Sequence, residues 1–256
     1  MFSNPFFIDS HCHANSFDEF SSLDSIIADA KKAGVFRFIS CSSSFSSINQ
    51  NLMLSKKYPE IIPCAALHPI DASSLSSEEI LKTLDFVERN ISSFKGIGET
   101  GLDFKFVSSD AEKELQYFSF SKFIELAKKY DLPLVVHSRQ SHRQVVDILD
   151  SFSPNKVLMH WFFESLKLAK VVVNRGYYIS VGPAFFGNVH LEKVVKWIPL
   201  ENLMLETDAP VRFSNELAFP SWIPRVAEKV AELKNISVED VKTQTFLNAC
   251  NLFSLG

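Results

Sequence analysis

Histidine and carboxylate recur in this chain where short apolar runs stop. His11-Cys12-His13 closes the first such run, Glu99 the fourth, His137 the fifth, His160 the sixth and Asp208 the eighth. These are the side-chain types that hold first-row divalent metals. H-x-H places two imidazoles on one side of a strand, as a chelating pair requires. His68 adds an imidazole after the third run, so five of the seven histidines stand at strand ends; His142 and His190 fall in helical stretches. Singly, each has an ordinary explanation. A lone His after LPLVV or KVLM is commonly a core or rim residue, and Asp208 before Pro210 suits a turn. Those explanations would have to hold independently at five strand ends.

Glu99 lies in KGIGETGLD, beside Gly96 and Gly98, whose missing side chains allow close backbone approach. Ile97 and Glu99 are expected to share one face by the period of two, and a carboxylate pointing inward at the end of a buried strand needs a cation. The six candidate ligands His11, His13, Glu99, His137, His160 and Asp208 exceed what one tetrahedral zinc takes and suit two divalent ions sharing a carboxylate. Glu99 is the natural bridge. The same alternation sets Asp9 beneath His11 and Glu206 beneath Asp208 on the inward face. Glu206 is expected either to accept the free N–H of a ligating His or to pair with a buried Lys or Arg. Cys12 points away from its two neighbours and is not counted as a ligand. Mg²⁺, Mn²⁺ and Zn²⁺ all suit such a donor set.

The elements that must position these groups alternate. Strand-like runs at 6–9, 35–40, 61–67, 95–99, 132–136, 156–160, 177–181 and 203–207 are separated by helical stretches at 23–33, 47–58, 78–91, 112–130, 142–152, 165–174 and 189–198. Two more helices, 224–233 and 238–253, end the chain. Ser76 with Glu79, and Ser237 with Asp240, have capping-box spacing. Continuous apolar strands between helices indicate a parallel sheet, and eight units in 256 residues is the size of a (β/α)₈ TIM barrel. The expectation is a single α/β barrel domain over residues 1–256, with an extra C-terminal helix. An open doubly wound sheet is the alternative, but no G-x-G-x-x-G or P-loop supports a nucleotide-binding version. The longest irregular connections, 103–110 and 210–220, both follow strands. In barrels of this kind the reactive groups come from the C-terminal strand ends.

Bulk properties set wide limits. With 46% hydrophobic and 22% charged residues and a net charge of −4, the chain is an ordinary globular protein without a broad basic surface for duplex DNA. A local cationic site for phosphate remains compatible with that charge. Cys12, Cys41, Cys64 and Cys250 form no C-x-x-C pair and read as small buried hydrophobes in a reducing, cytoplasmic location. No run is long enough for a membrane span.

IDSHCH, ALHP, GIGETGLDF, LPLVVHSR, MHWF, GYYISVGP and LETDAP resemble, in order and spacing, the motifs of the TatD family of metal-dependent deoxyribonucleases, within the amidohydrolase-like barrels. The likeness runs from Ile8 to at least Pro210, and FLNACNLF is similar to the family's last helix. The resemblance implies that His11, His13, Glu99 and Asp208 hold one metal and Glu99, His137 and His160 the other. It implies further that His68 and Arg139 meet the substrate phosphate, and that the substrate is single-stranded DNA, trimmed from its 3′ end as by an exonuclease. Two features depart from the family pattern. Trp161-Phe162-Phe163-Glu164 replaces a small, Gly-containing turn, and the segment after Asp208 keeps only Arg212 as a cation.

Two metals about 3.5–4 Å apart clamp a phosphodiester and acidify a bound water. Asp208 is then expected to accept the water's proton, while His68 and Arg139 stabilise charge on the phosphoryl oxygens. Trp161, Phe162 and Phe163 are candidates for stacking on bases, with at least one of them expected in the core. A second enzyme class keeps the site but hydrolyses a small ester, lactone or amide; Glu99, where such enzymes often have a carboxylated Lys, argues against it. A third, a non-catalytic binding protein, would be favoured by a missing ligand. No obligate protein partner is indicated.

Overall fold

The computed structural model describes residues 4–107, 109–213 and 215–256. All eight expected strands form: β1 (Phe7–Cys12), β2 (Val35–Cys41), β3 (Ile61–Cys64), β4 (Ile97–Asp103), β5 (Leu134–Arg139), β6 (Val157–Met159), β7 (Tyr178–Val181) and β8 (Leu203–Leu205). They pair in parallel as two runs, β1-β2-β3 and β4 through β8 in sequence order. Bridges between Cys64 and Gly96 and between Cys12 and Ala209 join the runs at both seams. The result is a closed (β/α)₈ barrel, in which each of the eight strands has a neighbour on both sides.

The outer helices are α1 (Leu23–Lys32), α2 (Phe45–Lys57), α3 (Pro69–Ser73), α4 (Ser77–Arg89), α5 (Asp110–Lys129), α6 (His142–Phe152), α7 (Leu166–Asn174), α8 (Val189–Trp197), α9 (Ile223–Lys234) and α10 (Val238–Phe253). Both expected capping boxes form. Glu79 N–H donates to Ser76 Oγ at 3.2 Å while Ser76 N–H donates to Glu79 Oε2 at 2.8 Å, and Ser237 with Asp240 repeats the exchange. Each box satisfies backbone donors that a helix start leaves free.

Two apolar layers result. Alternate strand residues such as Phe7, Ile97, Leu134 and Val136 pack outward against the helices. Ile8, Ile39, Val135, Leu158 and Met204 face inward, where Phe246, Leu252 and Phe253 of α10 join them. Thus α10 closes one end of the barrel, and the other end is left to polar side chains.

The structure corrects three local expectations. Strand β4 does not stop at Glu99 but continues to Asp103. The short helix α3 after His68 has too few residues to show helical periodicity in sequence. The connection 210–220 contains an antiparallel pair, β9 (Arg212–Phe213) with β10 (Glu216–Leu217).

Alternation also breaks where the site needs it. The ladder between β4 and β5 shifts between Ile97 and Thr100, so Ile97 joins the outer layer while Glu99 turns into the barrel mouth. In β1 shifts lie between Phe7 and Ile8 and between Asp9 and Cys12. There Ile8 takes the inward position, and Asp9 instead accepts hydrogen bonds from Thr207 N–H at 3.0 Å and from the Thr207 hydroxyl. Asp9 therefore ties β1 to the end of β8, and its Oδ1 also accepts the backbone N–H of His11 at 3.3 Å.

Gly101 has φ of +151°, and a Cβ built there would lie 2.0 Å from the carbonyl oxygen of His137. Such an approach forces backbone apart, not merely a side chain. Gly101→Ala is expected to lower stability by about 3 kcal/mol or more, measured by urea unfolding. A loss below about 1 kcal/mol would show that β4 and β5 can separate at little cost.

Candidate metal centre

Five strands and the loops after them bring the six predicted ligands together at the open end of the barrel. His11, Glu99, His137 and His160 are buried, and Asp208 follows β8 with φ of +54°. His11 Nε2 and His13 Nε2 are 3.4 Å apart. Both approach Glu99 Oε2, at 3.5 and 3.4 Å, and Asp208 Oδ1, at 3.3 and 3.4 Å. These spacings match the edge of a tetrahedron with metal–nitrogen bonds of about 2.1 Å, which is about 3.4 Å. Four donors are thus already placed as one cation would require.

The other oxygen of Glu99 faces a second group. Oε1 lies 2.6 Å from His137 Nδ1 and 2.7 Å from His160 Nε2, and those two nitrogens are 3.3 Å apart. Glu99 therefore stands between two donor sets, with one oxygen for each.

Hydrogen bonds on the far sides of the rings set which nitrogen is free. His13 Nδ1 lies 3.0 Å from the carbonyl of Cys41; a carbonyl only accepts, so Nδ1 carries the proton and Nε2 offers its lone pair. His137 Nε2 is 3.0 Å from Asp103 Oδ2, which leaves Nδ1 free toward Glu99. Such outer partners orient a ligating imidazole and raise its basicity. Glu206 Oε2 lies 3.7 Å from His160 Nδ1, too far for a hydrogen bond. The Glu206 carboxylate accepts instead from Ser180 Oγ at 2.8 Å and from the backbone N–H of Trp161 at 2.5 Å. No Lys or Arg pairs with it among the described residues. His11 Nδ1 and His160 Nδ1 are buried without hydrogen bonds.

Charge is balanced within the cluster. Burial alone would raise Glu99, but the surrounding imidazoles, His160 first, hold it well below the carboxylate range. Burial likewise opposes ionisation of Asp208, and its hydrogen bonds to His11 and His13 reverse this. His160 is lowered by burial and by His11, yet Glu99 and Glu206 raise it to about 9. Protons on imidazole thus stand where a cation would otherwise neutralise the carboxylates, and cation binding would release them.

The predicted substrate-contacting residues line the same cavity, of about 300 Å³. His68 caps α3, where its Nδ1 accepts the Ile70 N–H at 3.2 Å. Its Nε2 must then bear the proton, 3.7 Å from Glu99 Oε1. Burial lowers His68 to about 3, so it is a neutral donor. Arg139 is half exposed, with Nε 3.8 Å from Asp103 Oδ2 and its guanidinium over Phe106 at 5.6 Å. Trp161 lines the cavity, Phe162 is core, and Phe163 is exposed. Arg212 lies exposed in the β9–β10 pair, 3.4 Å from the Asn215 carbonyl. Cys12 is buried, its thiol directed at the Ile39 carbonyl at 3.7 Å, outside the donor sets.

Asp103 escaped the sequence analysis. Its backbone N–H donates to Gln116 Oε1 at 2.9 Å, its carbonyl accepts from Gln116 Nε2 at 3.1 Å, and Lys105 N–H donates to Oδ1 at 2.9 Å. The carboxylate is therefore fixed before it meets His137. The available signal was spacing: Asp103 lies four residues after Glu99, on the same strand face by the period of two. Asp103→Ala is expected to weaken metal affinity roughly 10–100-fold, read by competition with a chromogenic chelator. Unchanged affinity would show that His137 needs no such support.

The family profile described as TatD related DNase matches residues 8–254. The human deoxyribonuclease TATDN3 is 33% identical over 260 residues, covering 96% of this chain and 94% of the relative. The metal-dependent hydrolase YabD of Bacillus subtilis strain 168 is 32% identical, covering 97% of this chain and 99% of the relative. Among solved structures, the TatD homologue YjjV of Escherichia coli K12 superposes with a TM-score of 0.89 at 28% identity, covering 98% of each chain. With the family profile spanning nearly the whole barrel and the donor sets in place, this chain belongs to the TatD-related DNase family of metal-dependent hydrolases.

Proposed function

We propose that the protein hydrolyses phosphodiester bonds in single-stranded DNA, trimming from the 3′ end, with two divalent cations. The observation that carries this reading is the placement of Glu99, each of whose oxygens faces a separate set of nitrogen donors. His11, His13, Glu99 and Asp208 would hold one cation and Glu99, His137 and His160 the other. When bound, a pair of such cations supplies the charge that stabilises both the attacking and leaving oxygens and renders water acidic.

The chain's own groups do the rest. Asp208 is the proposed proton acceptor for the attacking water, since its side chain is 18% exposed and so reaches solvent from within the cluster. His68 donates its Nε2–H to a phosphoryl oxygen as a neutral group. Arg139 adds a charged fork at the rim, where its planar guanidinium matches two oxygens. Glu206 holds the Trp161 backbone, and with it the turn that follows His160. The human relative named as a deoxyribonuclease, 33% identical, supports DNA as the substrate.

The test is degradation of end-labelled single-stranded DNA, with chelator and with Mg²⁺, Mn²⁺ or Zn²⁺ restored. Metal-dependent laddering from the 3′ end is expected. Arg139→Ala should lower kcat/KM roughly 10–100-fold, as loss of a charge-assisted hydrogen bond does, with metal content near normal. Stoichiometric metal without cleavage of any strand would move the substrate to a small ester, lactone or amide.

A further inference from the structure

A second cavity, of about 610 Å³, opens between the starts of α6 and α7. It adjoins the first along the chain: Arg139 and Trp161 line the metal-site cavity, and Gln140 and Glu164 line this one. Its size falls within the range of small-molecule and cofactor pockets. Nothing in the mechanism above uses it.

His142 forms part of its wall and is only 7% exposed. Neither ring nitrogen has a hydrogen bond among the described residues; Nδ1 lies 3.2 Å from Glu164 Oε1 but is not aligned as a donor. Burial, ahead of the opposing charge of Glu164, lowers the ring to about 4, so at neutral pH it offers one N–H and one lone pair. A buried polar group left in this state is costly unless a partner arrives. Beside it stand the amide of Gln144 and the hydroxyl of Ser165, against an apolar wall of Val146 and Leu168, with Lys167 at the edge. Arg143, Asp147, Glu164 and Arg175 complete the lining with two charges of each sign; the neutral donors and acceptors beside apolar surface suit the edge and face of a nucleobase, and the exposed ammonium of Lys167 suits the phosphate attached to it.

We propose that this cavity is a nucleobase subsite, which holds a base of the single strand whose scissile phosphate lies at the Glu99 cluster. The proposal rests on the nuclease reading above. The strand passes Arg139 and Trp161, which line the metal-site cavity. His142 and Gln144 meet the polar edge of the held base, and Lys167 meets its phosphate.

The experiment compares a short thymidine oligonucleotide with bis(p-nitrophenyl) phosphate, a phosphodiester that carries no base. His142→Phe keeps a planar ring without nitrogens; Gln144→Ala and Lys167→Ala change exposed residues and test the cavity if the first variant fails to fold. In the folded variants KM for the oligonucleotide should rise about tenfold, the effect of 1.4 kcal/mol, with kcat within about twofold. Turnover of bis(p-nitrophenyl) phosphate should stay at the wild-type value. Equal losses on both substrates would assign these residues a structural role and overturn the subsite. Unchanged KM for the oligonucleotide would place the strand elsewhere and overturn it too, with the nuclease reading intact. Wild-type protein that hydrolyses the ester but no oligonucleotide would overturn both.

Discussion

Glu99→Ala is expected to remove both cations and hydrolysis together. Each donor set contains one oxygen of this carboxylate: His11 and His13 converge on Oε2 within 3.5 Å, and His137 and His160 on Oε1 within 2.7 Å. Without it, one set keeps three donors and the other two, and a single carboxylate remains against two divalent charges. Loss of an outer partner alone costs about 10–100-fold in metal affinity or activity, so loss of a shared ligand should reduce activity by at least about 10³-fold. Bound metal is measured by elemental analysis after dialysis, alongside hydrolysis. Glu99→Gln serves as the control for volume, since it fills the same buried space without the charge. Near-normal metal content with full activity in Glu99→Ala would end the bridging mechanism. Loss of one metal only would assign Glu99 to a single site.

The arrangement around Glu99 shows what sequence could convey. Donor types and their recurrence at strand ends pointed to His11, His13, Glu99, His137, His160 and Asp208, which the barrel brings into one cluster. That worked because position along a parallel strand is fixed by the apolar run before it. Facing was legible only where alternation is regular, as in β5, where Val135 faces inward and His137 follows two residues later. In β1 and β4 the ladder shifts, between Asp9 and Cys12 and between Ile97 and Thr100. A shift of one residue exchanges inside for outside. Ile97 and Glu99 consequently part company, and Asp9 serves the β1–β8 seam. No local residue preference announces such a shift.

Other features depended on contacts remote in sequence. The orientation of His137 is set by Asp103, and Asp103 in turn by Gln116 of α5. A strand taken to end at Glu99 leaves Asp103 in a loop, where a carboxylate has no evident partner. The tautomer of His68 follows from its place at the start of α3, a helix of five residues, where Nδ1 accepts the Ile70 N–H, and its neutral state follows from burial. By contrast the capped helices were legible because their signals are local. Ser76 with Glu79 and Ser237 with Asp240 need only three residues' separation to form.

Asp208→Asn separates proton transfer from metal binding at one position. The amide keeps an oxygen where Oδ1 now lies 3.3 and 3.4 Å from His11 and His13, so the shape of the first donor set survives. It loses the negative charge and the basicity. His137, His160 and Glu99 Oε1 lie on the other side of the bridge and are untouched, so that cation should remain. A positioned general base contributes about 10²–10⁴-fold to rate, and kcat should fall by about that factor in the variant. Metal content should fall by no more than one equivalent. If activity returns in full when the metal concentration is raised, Asp208 acts as a ligand alone and the proton goes elsewhere. If activity stays low at saturating metal, the carboxylate's basicity is the missing element. Wild-type activity at ordinary metal concentration would exclude Asp208 from both roles.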